Sequence, residues 1–403
     1  MLIDFSVENF ASIKERQTLS LIAENSTKLQ EYYLIKPLRE IRLLKMACIL
    51  GANASGKTNI LDALTFLRII TNSMRATKDQ KLPFTPFLFS EKTSEQNTNL
   101  QVRFVAQNNI FHYQLTLNNK CVLFEKLLLN ENLIFERISN SQTKFVEIRF
   151  GKQIQISKNL KEHFQNTTLW NNTVLATSKT INHDIHLLKI PSEWFSNNFF
   201  PLASHRYKTK SNIFEFLNKN LYEKNLNIQN ILAILQKADL NISAIELEKK
   251  LDDKGFNLNF LHKVGNTNYY LPFAKQSRGT QFYYILAGIL ELMLESSIVV
   301  CIDELEKSIH PDLLEHFLIF FLKNIPDSQL IFTTHHRELL LEQDMLRKDV
   351  IWFTEKQPNG ATELFSLADF AEITEKTSWY KAYKTGKIGA KPFLKDTYLG
   401  KYE

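Results

Sequence analysis

The sequence predicts an α/β protein with a mixed or parallel sheet, interrupted by an insertion of antiparallel strands and helices. The first observation is a glycine-containing loop within residues 47–64, between an apolar strand and an amphipathic helix. The second is a series of short apolar runs, separated by helical segments, towards the C-terminus. The third is a change to strict alternation in the middle of the chain. We therefore expect residues 1–97 and 273–403 to form two halves of one domain, split by residues 98–272.

The amino-acid composition is typical of a globular protein and predicts a soluble one. The chain has 403 residues, 44% of them apolar, and three scattered cysteines without a C-x-x-C pattern, which predicts reduced thiols in a cytoplasmic protein. The opening MLIDFSVENF carries early acids and is not a signal peptide. The most apolar helical segment, Phe282 to Leu294, is too short to span a bilayer and contains Glu291, so we expect no membrane contact.

The net charge of +6 is mild. It permits a nucleic acid partner, but a solvated lysine-rich surface explains the same charge. We favour the surface interpretation, because the basic residues are spread along the chain rather than clustered.

The N-terminal half reads as two short strands, a buried strand and a long helix. Residues 1–22 alternate around Asn9 to Ser12, and Leu43 to Leu50 is a compact apolar strand. The loop follows directly, and residues 58–75 repeat apolar side chains at helical spacing. This order of strand, glycine loop and helix is the setting that a phosphate-binding loop requires.

The insertion changes character along its length. Residues 98–155 alternate between Asn-rich turns and predict an antiparallel meander, residues 158–242 read as mainly helical, and residues 243–272 return to strands. Within it, the aromatic-rich stretch at 194–207 is either a partner surface or, as we favour, part of the core. In the C-terminal half, three buried strands are predicted at 298–302, 330–334 and 350–354.

The loop matches the pattern G-x-x-x-x-G-K-[ST]. Backbone N–H groups of such a loop, together with a helix N-terminus, converge on phosphate oxygens. Lys57 is expected to reach the β- and γ-phosphates, and the Thr58 hydroxyl to bind Mg²⁺. A chance match on a surface turn is the alternative, which the flanking strand and helix argue against. The predicted nucleotide-binding residues here are Gly51, Asn53, Ala54, Ser55, Gly56, Lys57, Thr58 and Asn59.

Two carboxylates end the buried strand at 298–302. The carboxyl edge of a parallel sheet is where open α/β folds bind ligands. We expect Asp303 to hold the Mg²⁺ shell and Glu304 to orient or deprotonate the attacking water. Acids often follow strands, so the pattern gains its weight from its pairing with the loop.

The next strand ends in Thr334-His335-His336. His335 fits a catalytic sensor that hydrogen-bonds the γ-phosphate or the attacking water. The alternatives are a metal site and an ordinary surface pair. No His-x₃-His spacing on a helix, including at His310, supports a zinc centre.

A fourth segment, KQSRGTQ at 275–281, opens a helix. Ser277 and Gly279 there predict a second anion-binding helix N-terminus. The alternative is an ordinary N-cap, in which the serine satisfies free N–H groups.

The order of these four motifs resembles the ABC-like heads of the SMC, RecF and overcoming-lysogenization-defect ATPases. It is more similar to stand-alone AAA ATPases of bacterial phage defence, the abortive-infection L-type and PARIS-type subunits. The resemblance covers both predicted halves of the domain. The stretches that carry it are VENFASIKE, GANASGKTNILDAL, SRGTQ, CIDELEKSIHPDLL, LIFTTHHRELL, LRKDVIWFTEK, GATELFSLADF and the tail YKTGKIGAKPFL.

The resemblance implies an ABC-type P-loop ATPase head that binds ATP and Mg²⁺ between two protomers. Ser277 and Gly279 would be the signature that contacts the γ-phosphate held by the other subunit, and His335 would be the switch histidine. EKSIHP would be the D-loop, with Ser308 and His310 near the dimer seam. Two positions depart from the family pattern, Arg278 and His336, and the Q-loop glutamine stays unassigned among Gln80, Gln96 and Gln101.

The resemblance also implies a function. It predicts the ATP-hydrolysing subunit of an anti-phage system, whose ATP-dependent head dimerisation or higher oligomer controls a separate effector encoded nearby, a nuclease or toxin. A phage protein would be the trigger. The chain after His335 contains no D-x-D pattern, so we expect any nuclease to act in trans.

Two alternatives stay open. One is a DNA-repair or DNA-structural ATPase of the RecF or SMC type, although the insertion lacks sustained heptads for a long coiled coil. The other is a nucleotide-gated scaffold with negligible turnover, against which the Asp303–Glu304 pair argues.

Overall fold

The computed structural model describes residues 1–202, 213–238, 240–250 and 255–392. Within these ranges, eighteen strands form four sheets. The strands are β1 (Leu2–Glu8), β2 (Gln17–Ser20), β3 (Leu34–Leu38), β4 (Ile41–Leu44), β5 (Met46–Gly51), β6 (Thr98–Ala106), β7 (Asn109–Leu117), β8 (Val122–Leu129), β9 (Asn132–Asn140), β10 (Phe145–Phe150), β11 (Phe199–Pro201), β12 (Ala244–Lys249), β13 (Phe256–Val264), β14 (Thr267–Pro272), β15 (Val299–Ile302), β16 (Gln329–Thr334), β17 (Ile351–Lys356) and β18 (Thr362–Ser366).

The same ranges contain eleven α-helices, together with short 3₁₀ turns and one π-helical turn at Trp194–Asn198. The α-helices are α1 (Gln30–Tyr33), α2 (Lys57–Asn72), α3 (Glu91–Glu95), α4 (Lys158–Thr167), α5 (Val174–Ser178), α6 (His186–Glu193), α7 (Ile213–Tyr222), α8 (Ile228–Lys237), α9 (Arg278–Glu295), α10 (Pro311–Asn324) and α11 (Trp379–Lys384). No helix among the described residues has both the length and the apolar character needed to cross a bilayer.

The site is carried by a six-stranded mixed sheet in the order β11-β15-β16-β5-β17-β18. Its first five strands are parallel, and β18 is antiparallel to β17. Every residue of β5 and β15 is buried, as expected for parallel strands covered on both faces. The predicted α/β class is confirmed. Strand β11 lies where the sequence predicted helix, because three residues are too few to show a period.

The predicted meander forms strands β6 to β10, but it does not make a separate sheet. Strand β6 pairs with β1, with Leu100 opposite Val7, in a seven-stranded sheet of order β10-β9-β8-β7-β6-β1-β2. The antiparallel strands therefore continue the sheet that the N-terminal residues begin. Such a pairing, between segments about ninety residues apart, has no local sequence signal. The division of the chain at 97/98 and 272/273 stays a prediction.

The aromatic-rich stretch is core where it is described. The side chains of Trp194, Phe195 and Phe199 are buried. Trp194 stacks on Phe104 of β6 with ring centroids 4.0 Å apart, and on Phe199 at 5.5 Å. Residues 203–207 of this stretch, and residues 393 and 394 of the C-terminal motif, lie outside the described residues.

The three cysteines are free and buried. Burial raises the pKa of the Cys48 and Cys301 thiols, so both stay protonated at neutral pH. Their positions in β5 and β15 make them small apolar core residues.

Helix α2, which follows the loop, is held by the segment that the sequence assigned to the insertion. The Arg68 guanidinium donates to the backbone oxygen of Phe195 at 3.1 Å, and the Thr173 hydroxyl donates to that of Ile70 at 3.0 Å. Because these contacts fasten the distal half of α2, they stabilise the direction in which its N-terminus points.

A buried polar network continues from that contact into the meander. Glu125 is fully buried, and its carboxylate accepts hydrogen bonds from the Tyr113 hydroxyl at 2.8 Å and from Val174 N, at the start of α5, at 2.7 Å. Burial raises the pKa of Glu125, and the positive charge of Arg137 opposes that rise. Arg137 is itself buried and donates to the carbonyls of Val122 and Trp170.

We expect Glu125→Ala to destabilise the fold by about 3 to 5 kcal/mol, because the buried Tyr113 hydroxyl and the Val174 N–H at the start of α5 both lose their acceptor. Thermal unfolding should show the unfolding temperature lowered by about 5 °C or more. Glu147→Ala on β10, an exposed glutamate of the same sheet, is the matched control. Equal unfolding temperatures for the two variants would show that the network adds nothing.

Candidate nucleotide-binding site

The loop between β5 and α2 depends on glycine at two positions. Gly56 has φ 105°, a conformation that L side chains rarely adopt, and a Cβ there would collide with the Thr362 side chain. A Cβ at Gly51 would lie 2.6 Å from the backbone oxygen of Thr354. Positions 51 and 56 therefore require glycine, because the loop passes close to strands β17 and β18 there.

Side chains distant in sequence hold the loop from outside. The Ser12 and Thr362 hydroxyls share a hydrogen bond of 2.6 Å, and the Thr362 hydroxyl donates to the Ser55 carbonyl at 2.8 Å. The Asn59 amide donates to the Ser12 hydroxyl at 2.6 Å. The Ser55 hydroxyl is buried against that of Thr354, 2.6 Å away. Ser55 and Asn59 were both predicted to contact the nucleotide. Their side chains instead make hydrogen bonds that support the loop.

Sequence reasoning missed Ser12 and Thr362 as support for the loop. Their stretches, VENFASIKE and GATELFSLADF, entered only as marks of resemblance. Both stretches carry hydroxyl residues, which is a possible signal, but a separation of 350 positions in the sequence concealed the contact between the two hydroxyls.

Lys57 folds over the loop. Its ammonium donates to the carbonyls of Gly51 at 2.8 Å and Ala52 at 3.0 Å. Burial lowers the pKa of Lys57 to about 8, and the negative charges of Asp303, Glu306 and Glu304 oppose that shift. A mostly buried cation that bonds no carboxylate in the described part of the chain is poised to gain an anionic partner.

Thr58, Asp303 and Thr333 form a chain of oxygen atoms across α2 and the ends of β15 and β16. The Thr58 hydroxyl lies 3.0 Å from Asp303 Oδ2, and the Thr333 hydroxyl donates to Asp303 Oδ1 at 2.6 Å. Glu304 N in turn donates to the Thr333 hydroxyl at 2.8 Å. This chain holds the Asp303 carboxylate in place and turns the backbone at Glu304.

Glu304 and His335 face each other across the mouth of the site. Glu304 has φ 53°, which directs the chain sharply after β15. Its Oε1 lies 3.8 Å from His335 Nε2, and His335 Nδ1 lies 3.3 Å from Lys57 Nζ. Both side chains are partly exposed, at 40% and 37%. The imidazole therefore lies between the lysine and the carboxylate.

These groups line one open cavity of about 660 Å³. Its polar lining suits a charged ligand such as a nucleoside triphosphate. The lining residues are Asn53, Ala54, Gly56, Lys57, Thr58, Asn59, Asp303, Glu304 and His335. Of the predicted set, Gly51 and Ser55 are in the loop but not in this lining, and the three candidate glutamines Gln80, Gln96 and Gln101 do not line it.

Ser277 and Gly279 lie outside the cavity lining. The Ser277 hydroxyl caps α9 by accepting from Thr280 N at 3.1 Å, so the N-cap expected as an alternative is present. A Cβ on Gly279 would lie 2.8 Å from the backbone oxygen of Ser308. The start of α9 thus packs against the D-loop-like turn of the same chain, and Ser277 is exposed beside it.

The second histidine turns away from the site. His336 Nδ1 lies 3.4 Å from a Glu338 carboxylate oxygen, and its side chain is mostly buried. Among the described residues, no group of three or more His, Cys, Asp or Glu side chains is arranged to hold a metal ion.

A glycine loop between a buried strand and a helix, with a lysine over it and carboxylates at the neighbouring strand end, defines a P-loop ATPase. A family model described as "AAA domain, putative AbiEii toxin, Type IV TA system" matches residues 46–342. The chain belongs to this family. No curated protein matches the sequence.

Similar solved structures include three Smc heads. One is an Smc head bound to the C-winged helix domain of ScpA, with 13% identity, a TM-score of 0.48 and coverage of 92% of this chain and 99% of that chain. The SMC head domain from Thermotoga maritima has 12% identity, a TM-score of 0.43 and coverages of 91% and 98%. An Smc head with an extended coiled coil bound to the C-terminal domain of ScpA, derived from Pyrococcus furiosus, has 12% identity, a TM-score of 0.46 and coverages of 91% and 97%.

Proposed function

We propose that this chain is the ATP-binding and hydrolysing subunit of a bacterial anti-phage defence system, in which ATP-dependent dimerisation of two heads controls a separate toxic effector. The observation that carries the proposal is the convergence of Lys57, Thr58, Asp303, Glu304 and His335 on one cavity. Membership of a family described by a toxin–antitoxin system supports the defence role.

Lys57 is the proposed phosphate-binding residue. Its ammonium now bonds two loop carbonyls, Gly51 O and Ala52 O, inside the cavity lined by the loop. Phosphate oxygens are charged acceptors and bind an ammonium more strongly than neutral carbonyls do. ATP would therefore draw the lysine from the loop onto its β- and γ-phosphates.

Thr58 and Asp303 are the proposed Mg²⁺ ligands. A hydroxyl and a carboxylate 3.0 Å apart are the hard oxygen donors that Mg²⁺ prefers, so the residues present fit the ion. Bound there, Mg²⁺ would neutralise negative charge on the phosphate oxygens. The Thr333 hydroxyl would keep the Asp303 carboxylate oriented.

Glu304 is the proposed general base and His335 the proposed sensor. The Glu304 carboxylate lines the cavity and is 40% exposed, so a water molecule can reach it. The carboxylate would take the proton from the water that attacks the γ-phosphorus. His335, between this carboxylate and Lys57, would hydrogen-bond the γ-phosphate or the same water.

Ser277 and Gly279 are the proposed contacts in trans. They open an eighteen-residue helix whose N-terminus carries partial positive charge, and they lie outside the cavity of their own chain. A second head would bring this helix end to the γ-phosphate and close the site. ATP would then be the bond between heads, and hydrolysis would release it.

The decisive experiment is a tagged purification from cells that carry the native neighbouring genes, with and without ATP, followed by mass spectrometry. We expect a stoichiometric neighbour-encoded toxin or nuclease whose association changes with ATP. Lys57→Ala, purified in parallel, should lose the ATP dependence while still expressing. A chain that comes out alone, or with DNA, would contradict the proposal and favour the repair-type ATPase.

A further inference from the structure

Glu306 has no role in the proposed chemistry, yet its side chain bonds the backbone of His335, which lines the cavity. It lies in a sharply turned segment, because Glu304 and Ser308 on either side have φ values of 53° and 66°. Its Oε1 accepts a hydrogen bond of 2.6 Å from the backbone N–H of His335. The turn therefore carries a carboxylate from the end of β15 across to the end of β16.

The bond to Glu306 falls where His335 needs support. The imidazole is partly exposed, and the ring-nitrogen contacts found among the described residues are to Lys57, which is proposed to move onto ATP, and to Glu304 at 3.8 Å. Because the His335 side chain is 37% exposed, its placement depends strongly on the backbone that carries it. A carboxylate–amide bond is charge-assisted and roughly twice as strong as a neutral one.

We propose that Glu306 is a positioning residue for His335, which fixes the backbone of the switch histidine so that its ring stays between Lys57 and Glu304. This inference rests on the proposed role of His335. Glu306 does not touch the substrate in this scheme, and it acts on turnover only through the histidine.

Glu306 Oε2 is buried and has no hydrogen-bond partner among the described residues. The carboxylate is therefore committed to a single bond, the one to His335 N. Its negative charge also raises the pKa of Lys57, against the larger lowering that burial causes.

The test is a set of four variants assayed for steady-state ATP hydrolysis: Glu306→Ala, Glu306→Gln, His335→Ala and the double alanine variant. Glu306→Ala should lower kcat about tenfold, with KM for ATP changed by less than about threefold, because the ground-state phosphate contacts remain. Glu306→Gln keeps a side-chain oxygen that can accept from His335 N, so it should recover about fivefold of that loss.

The double variant separates positioning from a general structural effect. If Glu306 acts only through His335, adding Glu306→Ala to His335→Ala should change kcat by less than about twofold. Thermal unfolding of each variant checks that the heads are folded. A double variant whose loss is the product of the two single losses would overturn the inference, as would a glutamine variant no better than alanine.

Failure of this inference can be told from failure of the proposed site. If His335→Ala hydrolyses ATP at the parent rate, the sensor role of His335 is wrong, and the positioning role falls with it. If His335→Ala is impaired but Glu306→Ala keeps the parent kcat, only the positioning role of Glu306 is wrong.

Discussion

Replacing Lys57 with alanine should raise the Kd for ATP at least about 100-fold and so abolish binding at ordinary nucleotide concentrations. Each charge-assisted hydrogen bond from the ammonium to a phosphate oxygen contributes about 1.5 to 3 kcal/mol, and two of them account for this change. Titration of the purified chain with a fluorescent ATP analogue in the presence of Mg²⁺ measures it directly.

The fold should tolerate this change, because the Ser12 and Thr362 hydroxyls still support the loop when Lys57 loses its bonds to the carbonyls of Gly51 and Ala52 and to His335. Lys158→Ala removes the same charge from a side chain that is 89% exposed on α4, and it should bind ATP as the parent does. If Lys57→Ala still binds ATP with parent affinity, the loop is not the nucleotide site.

Replacing Glu304 with glutamine should lower ATP hydrolysis by about 10²- to 10⁴-fold while ATP still binds. Glutamine has the size of glutamate but does not take a proton from water. In the proposed cycle hydrolysis separates the heads, so the ATP-bound dimer should accumulate in this variant. Single-turnover hydrolysis and light scattering in ATP measure the two effects together.

Two controls sharpen the dimer prediction. Glu372→Gln makes the same change at an exposed position outside the cavity and should leave hydrolysis unaffected. Adding Ser277→Asp to Glu304→Gln keeps an N-cap on α9, since aspartate caps as well as serine, but sets a negative charge against the partner's γ-phosphate. That double variant should stay monomeric in ATP. A Glu304→Gln chain with parent turnover would remove Glu304 as the general base.

The part of the fold predictable from sequence is the part coded by neighbouring residues. Strand β5, its loop and helix α2 are contiguous, and the apolar run, the glycines and the 3.6-residue period each appear within one window. The alternating strands β6 to β10 were visible for the same reason, with period two and Asn-rich turns between them. The predicted ends of these elements differ from the observed ends by a few residues. Helix α2, for example, ends at Asn72 rather than at the predicted Arg75.

Contacts between distant segments were not predictable in the same way. The pairing of β1 with β6 places the meander on the N-terminal sheet, and no residue in either strand marks its partner. The short strand β11 pairs in parallel with β15, at the edge of the six-stranded sheet. Both pairings depend on tertiary packing, because a strand can pair only with a sheet edge that the rest of the chain leaves free.

The candidate site also has a part that the sequence predicts and a part that depends on the tertiary structure. The sequence by itself determined the residue types, because phosphate binding requires glycine, lysine and a hydroxyl at fixed spacing on one turn of chain. Only the tertiary structure decided that β15 and β16 end beside that turn, so that Asp303 meets Thr58 and His335 meets Lys57. It also decided that Ser12, Thr362 and Glu306 would support them. The physical reason is that a hydrogen bond between side chains hundreds of residues apart requires the sheet to be assembled first, and a local pattern contains no record of that assembly.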